Sequence, residues 1–384
     1  MNLSLDMSRG KPGASQLDVS RGLLTCLGED DYRAADGTDC RNYGGLDGLP
    51  EMKALFAELF QTAPADVLVG GNSSLQMMYN GMDLLRRTVG PGKTILCPVP
   101  GYDRHFAIAE RLGFAMQTVP MTPDGPDTDA VRDALRNPDV VGLWCVPVFS
   151  NPQGVTYSPE TAAALASLPA ASPDFRIFWD NAYAVHALSG DNRPKPHHNL
   201  LRLATEAGHP DRALMFTSFS KITFPGAGVA AMAASPANLA AMKAALAVQT
   251  IGPDKVNQLR HVRYFQNLDG VLTHMAKHAA ILQPKFAAID QKLTRHLAGQ
   301  SIARWDTPAG GYFIAFETLP GLAERVVTLC AEAGLVMTPA GATFPYEDPT
   351  DSHIRIAPSF PPLDQLETAM DLFCTTVKLA ASER

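Results

Sequence analysis

The sequence has no two cysteines spaced to share a metal or to staple a small fold. Cys26, Cys40, Cys97, Cys145, Cys330 and Cys374 are scattered, without a CxxC pair. Neither a disulfide framework nor a zinc or other metal site is expected, and the six read as reduced core thiols. An excess of positive charge is also missing. With 32 basic against 39 acidic residues the formal net charge is -7, which argues against a general nucleic-acid surface or an anionic membrane surface. No uninterrupted apolar run approaches the roughly 20 residues of a membrane span. The nearest, Gly226 to Val248, is broken by Pro236, Asn238 and Lys243. The opening MNLSLDMSRGKPG has no basic start followed by an apolar run of signal-peptide length, so the cytoplasm is the expected compartment. There is no GxxxxGK[ST], internal repeat or low-complexity tract, which removes a nucleotide P-loop and a repeat architecture. A small-molecule or protein partner remains.

What is present is an ordinary globular composition, 46% hydrophobic and 18% charged over 384 residues, long enough for two or three domains with a sizeable interior. Between Met52 and Val248, short apolar runs (KTILCPVP, FAMQTVP, VVGLWCVP, RIFWD, ALMFTSF, AGVAAMAA) are separated mostly by amphipathic segments. This alternation predicts an α/β fold with a mainly parallel central sheet flanked by helices. The expected divisions are an N-terminal arm and part of the small domain over residues 1–50, a large domain over 51–255, and a linking helix with the rest of a smaller α+β domain over 256–384. In such a sheet ligands collect at the carboxyl ends of the strands. The unusual residues fall there: PGYDRHF after the first run, SNPQG after the third, DNAY after the fourth, SFSK after the fifth.

Each of these has a plain structural alternative. Lys221, in SFSKITFPGAG, could be a solvated turn lysine, although lysine is seldom buried without a task. Asp180 closes the apolar RIFWD, where a carboxylate needs a cation or a protonated nitrogen, or else caps the following turn. Asn72, Ser73 and Ser74 follow VLVGG and open an amphipathic helix, so they could cap it or present its N-terminal amides to a phosphate. Asn151 could simply start a turn with Pro152. Tyr102 could be a rim aromatic or a plate for a flat ring.

Taken in order, these residues form a more specific set. A phosphate loop, an aromatic plate, an Asn, an Asp suited to a ring nitrogen and a lysine able to form a Schiff base are the parts that hold pyridoxal 5′-phosphate (PLP). From RGKP at Arg9 to HIRIAPSF, the chain resembles the class I/II aminotransferases of PLP-dependent transferase fold type I. It is most similar to the aspartate-aminotransferase-like branch grouped with MocR-type aminotransferase domains. The resemblance implies Lys221 as the Schiff-base lysine and Asp180 as the partner of the pyridine nitrogen. It implies Asn151 and Tyr183 as donors to the phenolic oxygen, Tyr102 as the stacking ring, and Ser73, Ser74 and Ser218 around the phosphate. Arg355 matches the arginine that grips the substrate α-carboxylate. Tyr43 in NYGG resembles a tyrosine donated by the neighbouring subunit, which implies a homodimer with shared active sites.

One position departs from the pattern. Many relatives carry an arginine eight residues after the lysine, where this chain has Val229. Backbone amides of Gly226 to Gly228 or another residue are then expected to serve the phosphate. The expected activity is ping-pong transfer of an amino group from an amino acid, aspartate as first choice, to a 2-oxo acid such as 2-oxoglutarate. A PLP-dependent β-lyase or decarboxylase is the alternative within the same chemistry. A MocR-type ligand-sensing regulatory domain is the alternative outside it, disfavoured by a chain that reaches RGKP too early to hold a helix-turn-helix module. For an acidic donor, Arg104 in PGYDRHF is the candidate for the side-chain carboxylate, with Lys11 in RGKP as the alternative.

Overall fold

A computed structural model describes residues 5–384. The first strand, β1 (Leu5–Asp6), is short and pairs in parallel with a strand near the other end of the chain. The central sheet is built from β2 (Val67–Val69), β3 (Thr94–Val99), β4 (Ala115–Thr122), β5 (Gly125–Pro126), β6 (Val140–Cys145), β7 (Arg176–Asp180), β8 (Ala213–Ser218) and β9 (Ala230–Ala234). Its spatial order is β2-β9-β8-β7-β6-β3-β4-β5. Four of its seven pairings are parallel and three, those made by β9 and β5, are antiparallel, so the sheet is mixed around a parallel centre.

Apart from the half-exposed β4, the apolar runs are strands buried on both faces, and alternation sends successive side chains to opposite sides. Ile177 and Trp179 of β7, with Ala213 and Met215 of β8, join a core covered by the helices Pro50–Phe60, Pro159–Ser167 and Leu200–Glu206. Phe178, Leu214 and Phe216 point to the other face, beneath the helices Ser74–Val89, Asp103–Arg111 and Pro236–Leu246. Chain order reverses between β3 and β6. Crossovers leave in opposite directions there, which opens a crevice at the strands' carboxyl ends.

A third core lies beside this sheet. It is formed by β10 (Ala303–Trp305), β11 (Ile314–Thr318) and β13 (His353–Ile356), all antiparallel, with the helices Ala323–Glu332 and Leu363–Ser382 packed against them. The partner of β1 is β12 (Leu335–Val336), so Leu5 and Met7 join the same core. The helix Leu268–Leu297 runs through Pro284. Its first half (Leu268, Val271, Met275) packs in a large-sheet core and its second (Phe286, Ile289, Leu293) in the small one. No helix among the described residues is long and apolar enough to cross a membrane.

Candidate active site

The crevice at the β3/β6 switch is a cleft enclosing about 550 Å³. Asp180, at the end of β7, Tyr183, three residues on, and Asn151, after β6, are buried and line it, as does Tyr102, after β3. Ser73, Ser74, Ser218, Ser220 and Lys221 line the remainder. Four strand ends and one helix start therefore converge.

Lys221 closes a single 3-10 turn, Phe219–Lys221, that follows β8 directly. The turn is fixed from below, where Phe219 N–H donates to the Val229 carbonyl (2.8 Å) and the Tyr312 hydroxyl donates to the Lys221 carbonyl (3.1 Å). The Lys221 ammonium lies 5.0 Å from the centre of the Tyr183 ring. Burial lowers its pKa from the ordinary lysine value, against the attraction of Asp180, which raises it. The same burial lifts the Tyr183 phenol well above the usual tyrosine value and pushes Tyr102 up to about 12.

Asp180 is divided between two environments. Its Oδ2 accepts a hydrogen bond from His105 Nε2 at 3.0 Å, and since a carboxylate only accepts, the proton sits on Nε2. Its Oδ1 is buried and has no partner among the described residues. The His105 ring is clamped in turn, stacked on Trp144 at 4.2 Å and edge-on to Tyr102 at 5.0 Å. None of His105, Trp144 and Ser220 was singled out by sequence. His105 carried a faint signal, lying with Phe106, Ile108 and Ala109 on the buried face of the helix that begins after Tyr102.

Around the helix start, Ser73 caps Ser74–Val89 by accepting from the Leu75 amide at 3.2 Å. Ser218 and Ser220 hydroxyls are 3.1 Å apart, and Ser220 donates to the Asn72 carbonyl at 2.9 Å. The Asn72 side chain does not line the cleft; only its backbone takes part. At Gly228 a Cβ would stand 2.9 Å from both the Asn72 carbonyl oxygen and the Ser220 hydroxyl, so the close approach of the two loops requires glycine there. Val229 is a core residue and brings no charge.

Arg355, on β13, does not itself line the cleft but meets Asn151, which does. It is buried, donates through Nη1 to Asp103 Oδ1 (2.9 Å) and Asn151 Oδ1 (3.3 Å), and lies over the Phe313 ring. Arg104 and Lys11 do not line the cleft. Arg104 is half exposed, 4.0 Å from Asp103. The Lys11 ammonium lies 3.8 Å from Asp6 and 3.8 Å from the centre of the Phe360 ring. Tyr43 is 86% exposed and outside the cleft. No cluster of metal-ligating residues occurs among the described residues.

Comparison with known proteins bears on the whole chain. An aspartate aminotransferase from Corynebacterium glutamicum is 47% identical over 393 residues, covering 100% of this chain and 90% of that protein. A crystal structure of an aspartate transaminase from the same organism superposes with a TM-score of 0.96 at 46% identity, covering 100% and 92% of the two chains. The α-aminoadipate aminotransferase of Thermus thermophilus shares the fold, with a TM-score of 0.82 at 21% identity over 99% and 94%; its structure holds N-(5′-phosphopyridoxyl)-L-leucine. The family model for aspartate aminotransferase matches residues 1–384. The chain belongs to the aspartate aminotransferase family and is a transaminase of fold type I, a class of PLP-dependent enzymes.

Proposed function

We propose that the protein binds pyridoxal 5′-phosphate in this cleft and transfers the amino group of aspartate to 2-oxoglutarate by a ping-pong route. The observation that carries the cofactor reading is the unpartnered, buried Oδ1 of Asp180. A buried carboxylate oxygen without a donor is costly, and a protonated ring nitrogen would satisfy it. The residues present fit the group at its other end too. Ser73, Ser74, Ser218 and Ser220 gather at a helix N-terminus beside a glycine that admits no side chain. When bound, PLP supplies a carbonyl to which amines add and a ring that accepts an electron pair.

The chain's own residues do the rest. Asp180, oriented by His105, would hold the proton on the ring nitrogen. Tyr102 would flank the ring, and Asn151 and Tyr183 would hold its phenolic oxygen. Lys221, whose buried amine loses its proton more readily than a free lysine, would hold the cofactor through its aldehyde and is placed to move a proton at the substrate α-carbon. Arg355 binds the α-carboxylate. The relative's name supports aspartate as the donor. For its second carboxylate we favour Arg104, on the same helix start as Tyr102, over Lys11, whose ammonium already faces Asp6 and Phe360.

The large sheet would form the cofactor domain over 51–255, and the small core with the linking helix a second domain over 256–384. Residues 1–50, of which 1–4 lie outside the described residues, would form the arm and part of the small domain, and Tyr43 would complete the site of a second copy. Six unpaired thiols, five of them buried, suit a reducing compartment such as the cytoplasm.

The test is borohydride reduction of the holoenzyme followed by peptide mapping, with a panel of amino donors read by cofactor absorbance. Label on Lys221, loss of turnover in Lys221→Ala and preference for aspartate are expected. Label on another lysine would overturn the site, and indifference to aspartate would overturn the substrate.

A further inference from the structure

Arg355 does not stand in the site with its charge unmet. Its contacts to Asp103 and Asn151 commit both hydrogens of Nη1, and its Nε is buried without a partner among the described residues. The other oxygen of Asp103 faces Arg104 Nε at 4.0 Å. One carboxylate of this chain thus stands between the two arginines assigned to the two carboxylates of an acidic substrate. Shielding of the pair is unequal: the Arg355 side chain is 7% exposed and that of Asp103 35%. Water can take over Asp103 at little cost, whereas a bare, buried guanidinium is costly.

We propose that Asp103 is a built-in counter-ion of Arg355 whose negative charge opposes an incoming carboxylate, so that it lowers the affinity of the site for carboxylates. The proposal rests on the reading of Arg355 as the α-carboxylate anchor. In the free protein Asp103 relieves Arg355 of an unpaired charge. Once a ligand carboxylate arrives, two anions crowd one guanidinium and repel each other. The site thereby releases product more readily than an unopposed arginine would.

The experiment is calorimetric titration of the holoenzyme with propionate, which carries one carboxylate and no amino group and cannot be turned over. Asp103→Asn keeps an acceptor oxygen opposite Nη1 and removes the charge, so propionate should bind about fivefold more tightly, the factor expected for a partly exposed ion pair. Asp103→Ser, which also removes the charge and suits a helix first turn, should shift binding the same way. Unchanged or weaker binding in both variants, with binding lost in Arg355→Gln, would overturn the proposal and make Asp103 an orienting residue. Propionate affinity that survives Arg355→Gln would instead overturn the reading of Arg355.

Discussion

Asp180 shows how much a single residue's neighbours decide. An acid at the end of a buried strand could have been a turn cap, yet here one oxygen is fixed by His105 and the other is left without a donor. Asp180→Asn keeps the shape but cannot hold a pyridinium proton, so turnover should fall by orders of magnitude while cofactor is retained. Retention measured by absorbance after gel filtration, alongside steady-state rates, checks this; activity within a few-fold of the parent would reduce Asp180 to a structural acid. Arg355→Lys replaces a planar fork with a point charge. KM should rise for every amino donor by a similar factor, and an increase confined to acidic donors would move Arg355 to the side-chain carboxylate.

At the scale of elements, the lysine turn is held by parts distant in sequence. Tyr312 donates to the Lys221 carbonyl and accepts from Gln16 Nε2 at 2.9 Å, while the same Gln16 nitrogen donates to His278 Nδ1 at 3.1 Å. His278 and His274 lie 3.2 Å apart, and His274 meets the Ile222 carbonyl at 2.9 Å. The short helix Ala14–Val19 and the long helix Leu268–Leu297 are thereby tied to the turn that carries the lysine. Tyr312→Phe leaves the Gln16 donor and the Lys221 carbonyl with unmet bonds in a buried place, which should cost about 1 to 3 kcal/mol. Urea unfolding of the holoenzyme measures it, and a loss below about 0.5 kcal/mol would show that the hydroxyl bears no such load.

For the whole molecule, buried histidines make stability depend on acid. Burial lowers His186 and His278 to about 3 and His198, His261 and His274 to about 4. Their unfolded value is near 6.5. Between those limits the unfolded chain binds more protons than the folded one, so the stability these groups contribute is full above about pH 6.5 and is lost progressively as pH falls toward 4. Unfolding free energies measured from pH 7.5 to pH 5 should decline, and a flat profile over that range would contradict the burial of these rings. Assembly belongs to the same scale. Tyr43 (86% exposed) and Ile251 (61%) sit on adjoining loops, where Gly252 abuts the Gly44 carbonyl. Sedimentation at micromolar concentration should give a dimer, and a monomer would remove Tyr43 from any active site.

The sequence by itself determined the alternation of apolar runs and helices, because burial on two faces leaves a continuous apolar signature in the central strands. It also pointed to Lys221, Asp180, Asn151 and Tyr102, which line one cleft, because the carboxyl ends of the strands of such a sheet open on one crevice. Tertiary structure alone decided that the sheet is mixed, with β9 and β5 antiparallel, since strand direction depends on crossovers that composition does not encode. It alone brought His105 to Asp180 across 75 residues and Arg355 to Asp103 across 252. Such pairs are set by how helices and strands pack, and no local pattern marks which distant side chain will meet a given charge.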